Sequence, residues 1–125
     1  MRHSVLLVGL GQVGMGYDFD VAASEMILSH ANAFVGHPDF EVIGGVDPDP
    51  KACARFHCRY GVRASRDLVE SLTMLKPEII VIASPTQCHA ESVRLALHNA
   101  KPRLILCEKP LASTLEDAEG MVAAC

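Results

Sequence analysis

The chain lacks an excess of positive charge, a long apolar run, a Cys-x-x-Cys pair and any internal repeat. Each absence closes a class of function. Eleven Lys and Arg stand against 15 Asp and Glu, a net charge of −4. No basic footprint for nucleic acid or for an anionic membrane surface exists on that balance. The apolar runs are too short to span a bilayer. The five cysteines, Cys53, Cys58, Cys88, Cys107 and Cys125, are odd in number. They fit a reducing cytosol, and hence a cytoplasmic protein, better than a disulfide scaffold. Cys53, His57 and Cys58 share helical spacing, but they read as ordinary helix residues, and no metal site is expected. Met1-Arg2-His3 before Val5 to Val8 imitates a signal peptide. The apolar stretch is short, breaks into glycines and is followed by Asp18 and Asp20, so it reads as a first strand.

What is present is a 125-residue chain, half apolar and 21% charged, enough for one domain with a core. Its most informative stretch is Ser4-Val5-Leu6-Leu7-Val8-Gly9-Leu10-Gly11-Gln12-Val13-Gly14. An apolar strand runs directly into Gly-x-Gly-x-x-Gly. Gly9 permits a tight turn, Gly11 lets backbone approach a pyrophosphate, and Gly14 allows close packing of helix on strand. The N–H groups and positive dipole end of the following helix would face the anion.

Strands and helices then alternate. The pattern predicts a helix over Ser24 to Val35 with Ile27, Ala31, Phe34 and Val35 on its core face, stopped by Gly36. It predicts a strand over Glu41 to Val46 ending at Asp47, and a helix from Asp49-Pro50 to about Tyr60, stopped by Gly61. A short strand at Val62 to Ala64 follows, then a helix capped by Ser65 that holds Leu68, Val69 and Leu72. Glu78 to Ala83 is apolar on both faces, as a central parallel strand should be. A helix with Ala90, Val93, Leu97 and Ala100 on one face leads to a strand at Arg103 to Cys107. Thr114-x-x-Asp117 opens a last helix with Leu115, Ala118, Val122 and Cys125 toward the core. The expected fold is α/β, a Rossmann-type doubly wound parallel sheet with helices on both faces. The chain stops inside an amphipathic helix, so residues 1–125 are expected to be one domain of a longer polypeptide.

In such a sheet the ligand lies beyond the carboxyl ends of the strands. Asp47 stands at the end of the second strand, where a carboxylate accepts hydrogen bonds from ribose hydroxyls and repels a 2′-phosphate, favouring NAD over NADP. It lies 33 residues after Gly14, against about 20 in the usual fingerprint, and the excess is assigned to an insertion around Met15 to Ser29. Ser84, Pro85 and Thr86 follow the fourth strand. They start a helix well and can also contact the nicotinamide-side ribose. His89 falls in the first turn of that helix, toward the crevice. Lys109 sits just past the fifth strand, where it can stabilise an alkoxide formed on hydride loss, or move a proton if burial lowers its pKa.

Gly9-x-Gly11-x-x-Gly14, Ala83-Ser84-Pro85-Thr86-x-x-His89 and Glu108-Lys109-Pro110 together resemble the nucleotide-binding half of the GFO/IDH/MocA oxidoreductases. Glu108-Lys109-Pro110 is the most specific mark, and His30-Ala31-x-Ala33 is similar to the family's His-x-x-Ala stretch. The resemblance spans nearly the whole chain. It implies that Gly9, Gly11, Gln12, Val13, Gly14 and Asp47 hold the dinucleotide. It places Ser84, Pro85, Thr86, His89 and Glu108 along the cofactor, with Lys109 touching both substrate and nicotinamide. It also implies a sugar or polyol substrate, a Lys109–Pro110 bond often found cis, a homo-oligomer, and a second α/β domain absent from this chain that supplies the general base. One departure is that His30 comes 16 residues after Gly14, where the family's histidine follows within a few. A dinucleotide-sensing module without chemistry is an alternative, disfavoured by Lys109. A methyltransferase is disfavoured by Glu108-Lys109-Pro110. Short-chain dehydrogenases need a Tyr-x-x-x-Lys pair, which neither Tyr17 nor Tyr60 makes.

Overall fold

A computed structural model describes residues 1–21 and 26–125 of the chain. Among the described residues five strands and five α-helices alternate: β1 (His3–Val8), α1 (His30–Val35), β2 (Phe40–Val46), α2 (Pro50–Tyr60), β3 (Ala64–Ser65), α3 (Leu68–Leu75), β4 (Ile79–Ile82), α4 (His89–Asn99), β5 (Leu104–Cys107) and α5 (Leu115–Ala124). The strands form one sheet in the order β3-β2-β1-β4-β5, and every pair is parallel. This is the Rossmann-type architecture expected from the alternation of elements. The order reverses direction between β1 and β4, which makes the gap beyond their ends the switch point.

β1 and β4 are apolar on both faces because two cores clamp them. Val5, Leu7, Ile79 and Val81 face one core with Phe56 of α2 and Ala31 of α1. Leu6, Val8, Ile80 and Ile82 face the other with Leu72, Val93 and Met121. In β2, Val42 belongs to the first core and Val46 to the second, although strict alternation would put both on one face. The register against β1 slips between Val5 and Leu6, so that Val5 pairs with Val42 but Leu6 with Gly44. This bulge turns the end of β2, with Asp47 behind it, onto the register that the site uses.

The helix starts have legible causes. Asp49 caps α2, with Pro50 in the first turn and Gly61 closing the helix at φ 68°. Thr114 Oγ1 accepts from Asp117 N at the start of α5. Other details differ from expectation. α1 begins only at His30, capped by Ser29. The expected start at Ser24 lies outside the described residues, and Met26 to Leu28 are not helical. Ile27 and Val35 are exposed; Ala31 is buried and Phe34 packs beside it. β3 is shifted to Ala64–Ser65 because Ser65 pairs with Val46. The cap of α3 is therefore Asp67, not Ser65. In α5 it is Met121 that is buried, while Leu115, Val122 and Cys125 are exposed. That helix packs on α4, and Met121 is the residue it adds to the second core. No helix among the described residues is long and apolar enough to cross a membrane.

Candidate functional site

Backbone hydrogen bonds bring the carboxyl ends of the strands to one edge. Gly9 N donates to Val46 O, Ala83 N to Val8 O, Glu108 N to Ile82 O and Asp47 N to Ser65 O. The loops after β1, β2, β4 and β5 thus leave the sheet side by side.

The glycine loop is built by exclusion. Gly9 has φ 93°, and a Cβ there would lie 2.5 Å from Ser84 N. At Gly14 a Cβ would fall on the carbonyl oxygen of Gly9. Above Gly11 a Cβ would meet nothing within 4 Å. Among the described residues, the backbone N–H groups of Gly11, Gln12 and Val13 donate to no carbonyl. A tight turn with unpaired donors beside open space is the cradle that a pyrophosphate needs. At the neighbouring end of β4, Ser84 Oγ is buried with no hydrogen-bond partner among the described residues. These features fit a dinucleotide.

Asp47 is locked in place. Its Oδ2 accepts from Leu10 N at 2.9 Å and its Oδ1 from Asp49 N at 2.8 Å. Each oxygen keeps a further lone pair, enough for two ribose hydroxyls. The carboxylate is therefore joined directly to the glycine loop. Arg66, not singled out from the sequence, donates from Nε to Pro48 O at 3.0 Å. It brings a cation to the carbonyl of Pro48, the residue after Asp47.

The spacing anomaly has a structural solution. His30 N donates to Val13 O and Ala31 N to Gly14 O. An unbroken α-helix would use residues 17 and 18 for those carbonyls. His30 and Ala31 thus take the places that residues 17 and 18 would hold in an unbroken helix, and the insertion, thirteen residues long, is narrower than Met15 to Ser29. Discounting these thirteen residues from the 33 places Asp47 20 residues after Gly14. The same subtraction puts His30 third after Gly14. The helix dipole that the sequence pattern places behind the glycines is accordingly a single turn, because α1 resumes only after the loop-out.

The loop-out is organised by Asp18, which is fully buried. Its carboxylate accepts from Ser29 Oγ at 2.5 Å, Leu28 N at 2.7 Å and Ser29 N at 3.0 Å. Burial pushes the Asp18 carboxyl up, but the Ser29 hydroxyl, the Leu28 N–H, Asn32 and the Ser29 N–H together hold it below the ordinary carboxylate range. Phe19 lies under the Arg55 guanidinium at 4.5 Å, and Arg59 donates to Val21 O, so the segment is clasped to α2.

On the other side of the switch point, Thr86–Cys88 form a 3₁₀ turn after Pro85. His89 is 1% exposed, and its ring lies between two carbonyls, with Nε2 2.8 Å from Ser84 O and Nδ1 3.1 Å from Leu111 O. The sequence places this ring toward the crevice. In the structure it ties the Ser84 loop to the loop after β5, because a buried imidazole must hydrogen-bond. Lys109 is exposed, so the burial that a proton-moving role requires is not supplied by this chain. The Lys109–Pro110 bond is cis. Glu108 is held by His30, whose Nε2 lies 2.7 Å from Oε1. The His30 imidazole beside it holds the Glu108 carboxyl below the ordinary range. Cys53 donates to Asp47 O, and burial pushes its thiol up, as it does that of Cys107. His57 bonds to Val62 O.

Residues 4–125 match the model of the GFO/IDH/MocA oxidoreductase family, described by its NAD-binding Rossmann fold. The chain belongs to this family. It is 30% identical over 101 residues to glucose-6-phosphate 3-dehydrogenase of Bacillus subtilis, covering 81% of this chain and 28% of that protein. It is 33% identical over 87 residues to inositol 2-dehydrogenase of Rubrobacter xylanophilus, covering 70% of this chain and 24% of that protein. The WlbA dehydrogenase of Bordetella pertussis, solved with NADH and UDP-GlcNAcA, superposes with a TM-score of 0.82 at 24% identity, over 99% of this chain and 32% of that one. The chain thus spans less than a third of the length of these relatives. As a member of the GFO/IDH/MocA family it has an NAD-binding fold, and the loop-out explains its two departures from the family's spacing. Gly14-x-x-His is restored in space, between Gly14 and His30. The signal for this was present in the sequence as a second start of family-like spacing at Ser29-His30.

Proposed function

We propose that this chain is the NAD-binding part of a longer dehydrogenase that exchanges hydride between nicotinamide and a carbinol carbon of a sugar, polyol or related hydroxy compound. The names of the curated relatives, a sugar-phosphate and an inositol dehydrogenase, support that substrate class. The observation that carries the reading is Asp47, bonded to Leu10 of the glycine loop and 20 residues past Gly14 once the loop-out is discounted. Bound NAD would supply a hydride acceptor at its nicotinamide ring. The residues that would hold it are Gly9, Gly11, Gln12, Val13 and Gly14 at the pyrophosphate, Asp47 at the adenosine ribose, and Ser84, Pro85, Thr86 and Glu108 along the far half, with His89 buried behind the Ser84 loop. Lys109, on the same edge, would donate to the substrate oxygen and stabilise negative charge as it develops. A base from the remaining polypeptide would take the proton. The five cysteines are free, which supports a reducing, cytoplasmic setting. Leu104 and Leu106 of β5 and Leu115 of α5 are exposed, which supports cover by further polypeptide and assembly as a homo-oligomer.

NADH titration of this chain tests the reading, and the absence of tryptophan leaves NADH emission free of indole background. NADH should bind and NADPH should bind more weakly. Asp47→Ala should lower NADH affinity about tenfold, the worth of a charge-assisted hydrogen bond, and narrow the gap to NADPH. Tighter binding of S-adenosylmethionine than of NADH would overturn the assignment. The chain alone should turn over no sugar or polyol. In the longer protein, Lys109→Ala should lower kcat about 10²–10³-fold, the cost of removing one donor to a developing oxyanion. Equal activity with and without Lys109 would remove it from the chemistry, and no activity in either would favour a dinucleotide sensor.

A further inference from the structure

We propose that His30 is a positioning residue, which acts through Glu108 to hold Lys109 in register with the glycine loop. The inference rests on the reading of Lys109 as the group at the nicotinamide end. His30 is where the chain re-enters the first helix after the loop-out, and its N–H is bonded to Val13 O inside the glycine loop. Its ring crosses the switch point, with Nε2 2.7 Å from Glu108 Oε1. The other oxygen, Glu108 Oε2, accepts the N–H of Lys109 at 3.3 Å. One side chain thus links the turn that would hold pyrophosphate to the backbone of the lysine.

Physical reasons make this link matter more than an ordinary surface pair. The Glu108 carboxyl is ionised near neutrality, so it only accepts and Nε2 must donate, a charge-assisted bond of the stronger kind. The pair is sheltered, with side-chain exposures of 18% for His30 and 29% for Glu108. The loop it steadies has little other support. β5 is four residues long and forms the edge of the sheet, paired on one side only. Glu108 N to Ile82 O is the last backbone bond before Lys109. At the far end of the loop, Leu111 O lies 3.1 Å from His89 Nδ1. Lys109 therefore sits between two histidines, of which His30 is the one bonded toward the glycine loop. The ring of His30 is bonded to Glu108 and to none of the N–H groups of Gly11, Gln12 and Val13. A displacement of about 1 Å in a reacting group is enough to cost about 10² in rate, so such a tie has catalytic weight without contact.

Amide resonances of this chain, recorded with and without NADH, test the inference. In the natural sequence NADH should shift both the glycine-loop amides and the Lys109 amide. In His30→Ala the glycine-loop shifts should persist and the Lys109 shift should be lost, while His30→Gln, which keeps a donor toward Glu108, should restore it. Glu108→Gln should reproduce the loss from the other side and keeps the test usable if His30→Ala does not fold. A Lys109 response unchanged in His30→Ala, or in a folded Glu108→Gln, overturns the role. So does a Lys109 response lost only in step with a lower melting temperature in all three variants. Absence of any NADH response in the natural chain would instead defeat the dinucleotide reading itself.

Discussion

Alanine at Gly14 is expected to destabilise the fold strongly, whereas alanine at Gly11 should leave its stability unchanged and strip it of dinucleotide. The two positions stand in one loop, three residues apart, and differ in what surrounds them. A Cβ at Gly14 would fall on the carbonyl oxygen of Gly9, and Gly9 cannot give way freely, since even a Cβ of its own would lie 2.5–2.8 Å from Ala83 and Ser84 backbone. Backbone on both sides cannot yield as a flexible side chain would. We expect a loss of about 3 kcal/mol, toward the upper end for overpacking, read as a fall of about 10 °C in melting temperature. At Gly11 nothing lies within 4 Å of the added Cβ, so the fold loses nothing. The methyl would instead occupy the space where a pyrophosphate approaches backbone, and NADH affinity should fall by about 100-fold or more. Circular dichroism melts and NADH titrations of both variants check the pair. A Gly11→Ala chain that binds NADH normally would move the phosphate site elsewhere.

Asp18→Ala should cost about 3–4 kcal/mol, a large effect for a residue remote from the dinucleotide loop in sequence role. The carboxylate is fully buried and accepts from the Ser29 hydroxyl and from the N–H groups of Leu28 and Ser29. Its removal strands these donors, at about 1–3 kcal/mol for each buried group that finds no water. It also unseats Ser29, the cap of α1, and so loosens the re-entry at His30. Urea unfolding at neutral pH measures the loss, and a change under about 1 kcal/mol would show that water replaces the carboxylate. The same group sets a pH dependence. The folded-state pKa of Asp18 lies below its unfolded value, so its contribution is fully present above the unfolded pKa and disappears as pH falls through the folded one. Glu108 is shifted in the same direction. Stability should be level above about pH 5 and decline below about pH 4. Asp18→Asn should flatten that decline.

Much of the fold was legible because its causes are local. Asp49-Pro50 and Gly61 bound α2, Thr114 caps α5, and Ile79 to Ile82 could only be a strand clamped between two cores. The errors fall where a distant contact outranks a local signal. Ser65 lost the cap of α3 to Asp67 because its backbone is paired with Val46. Leu115 and Val122 lost the core face of α5 to Met121 because that helix leans on α4. His89 was legible as a site residue by position, but its partners, Ser84 O and Leu111 O, come from two loops that only the folded sheet brings together. Arg66 reaches Pro48 across 18 residues, a proximity that no linear spacing contains.

The alternation of strands and helices along the chain, the glycine turn, the strand-end acid and the lysine after the fifth strand follow from the sequence by itself, since hydrophobic period, steric demand and side-chain chemistry are properties of neighbouring residues. How the anomalous distance from Gly14 to Asp47 closes was decided only by tertiary structure. A buried carboxylate at Asp18 and two backbone bonds from His30 and Ala31 close it. Those bonds also bring His30 to Glu108, because hydrogen bonds between segments far apart in the chain form only once the sheet has set the segments side by side.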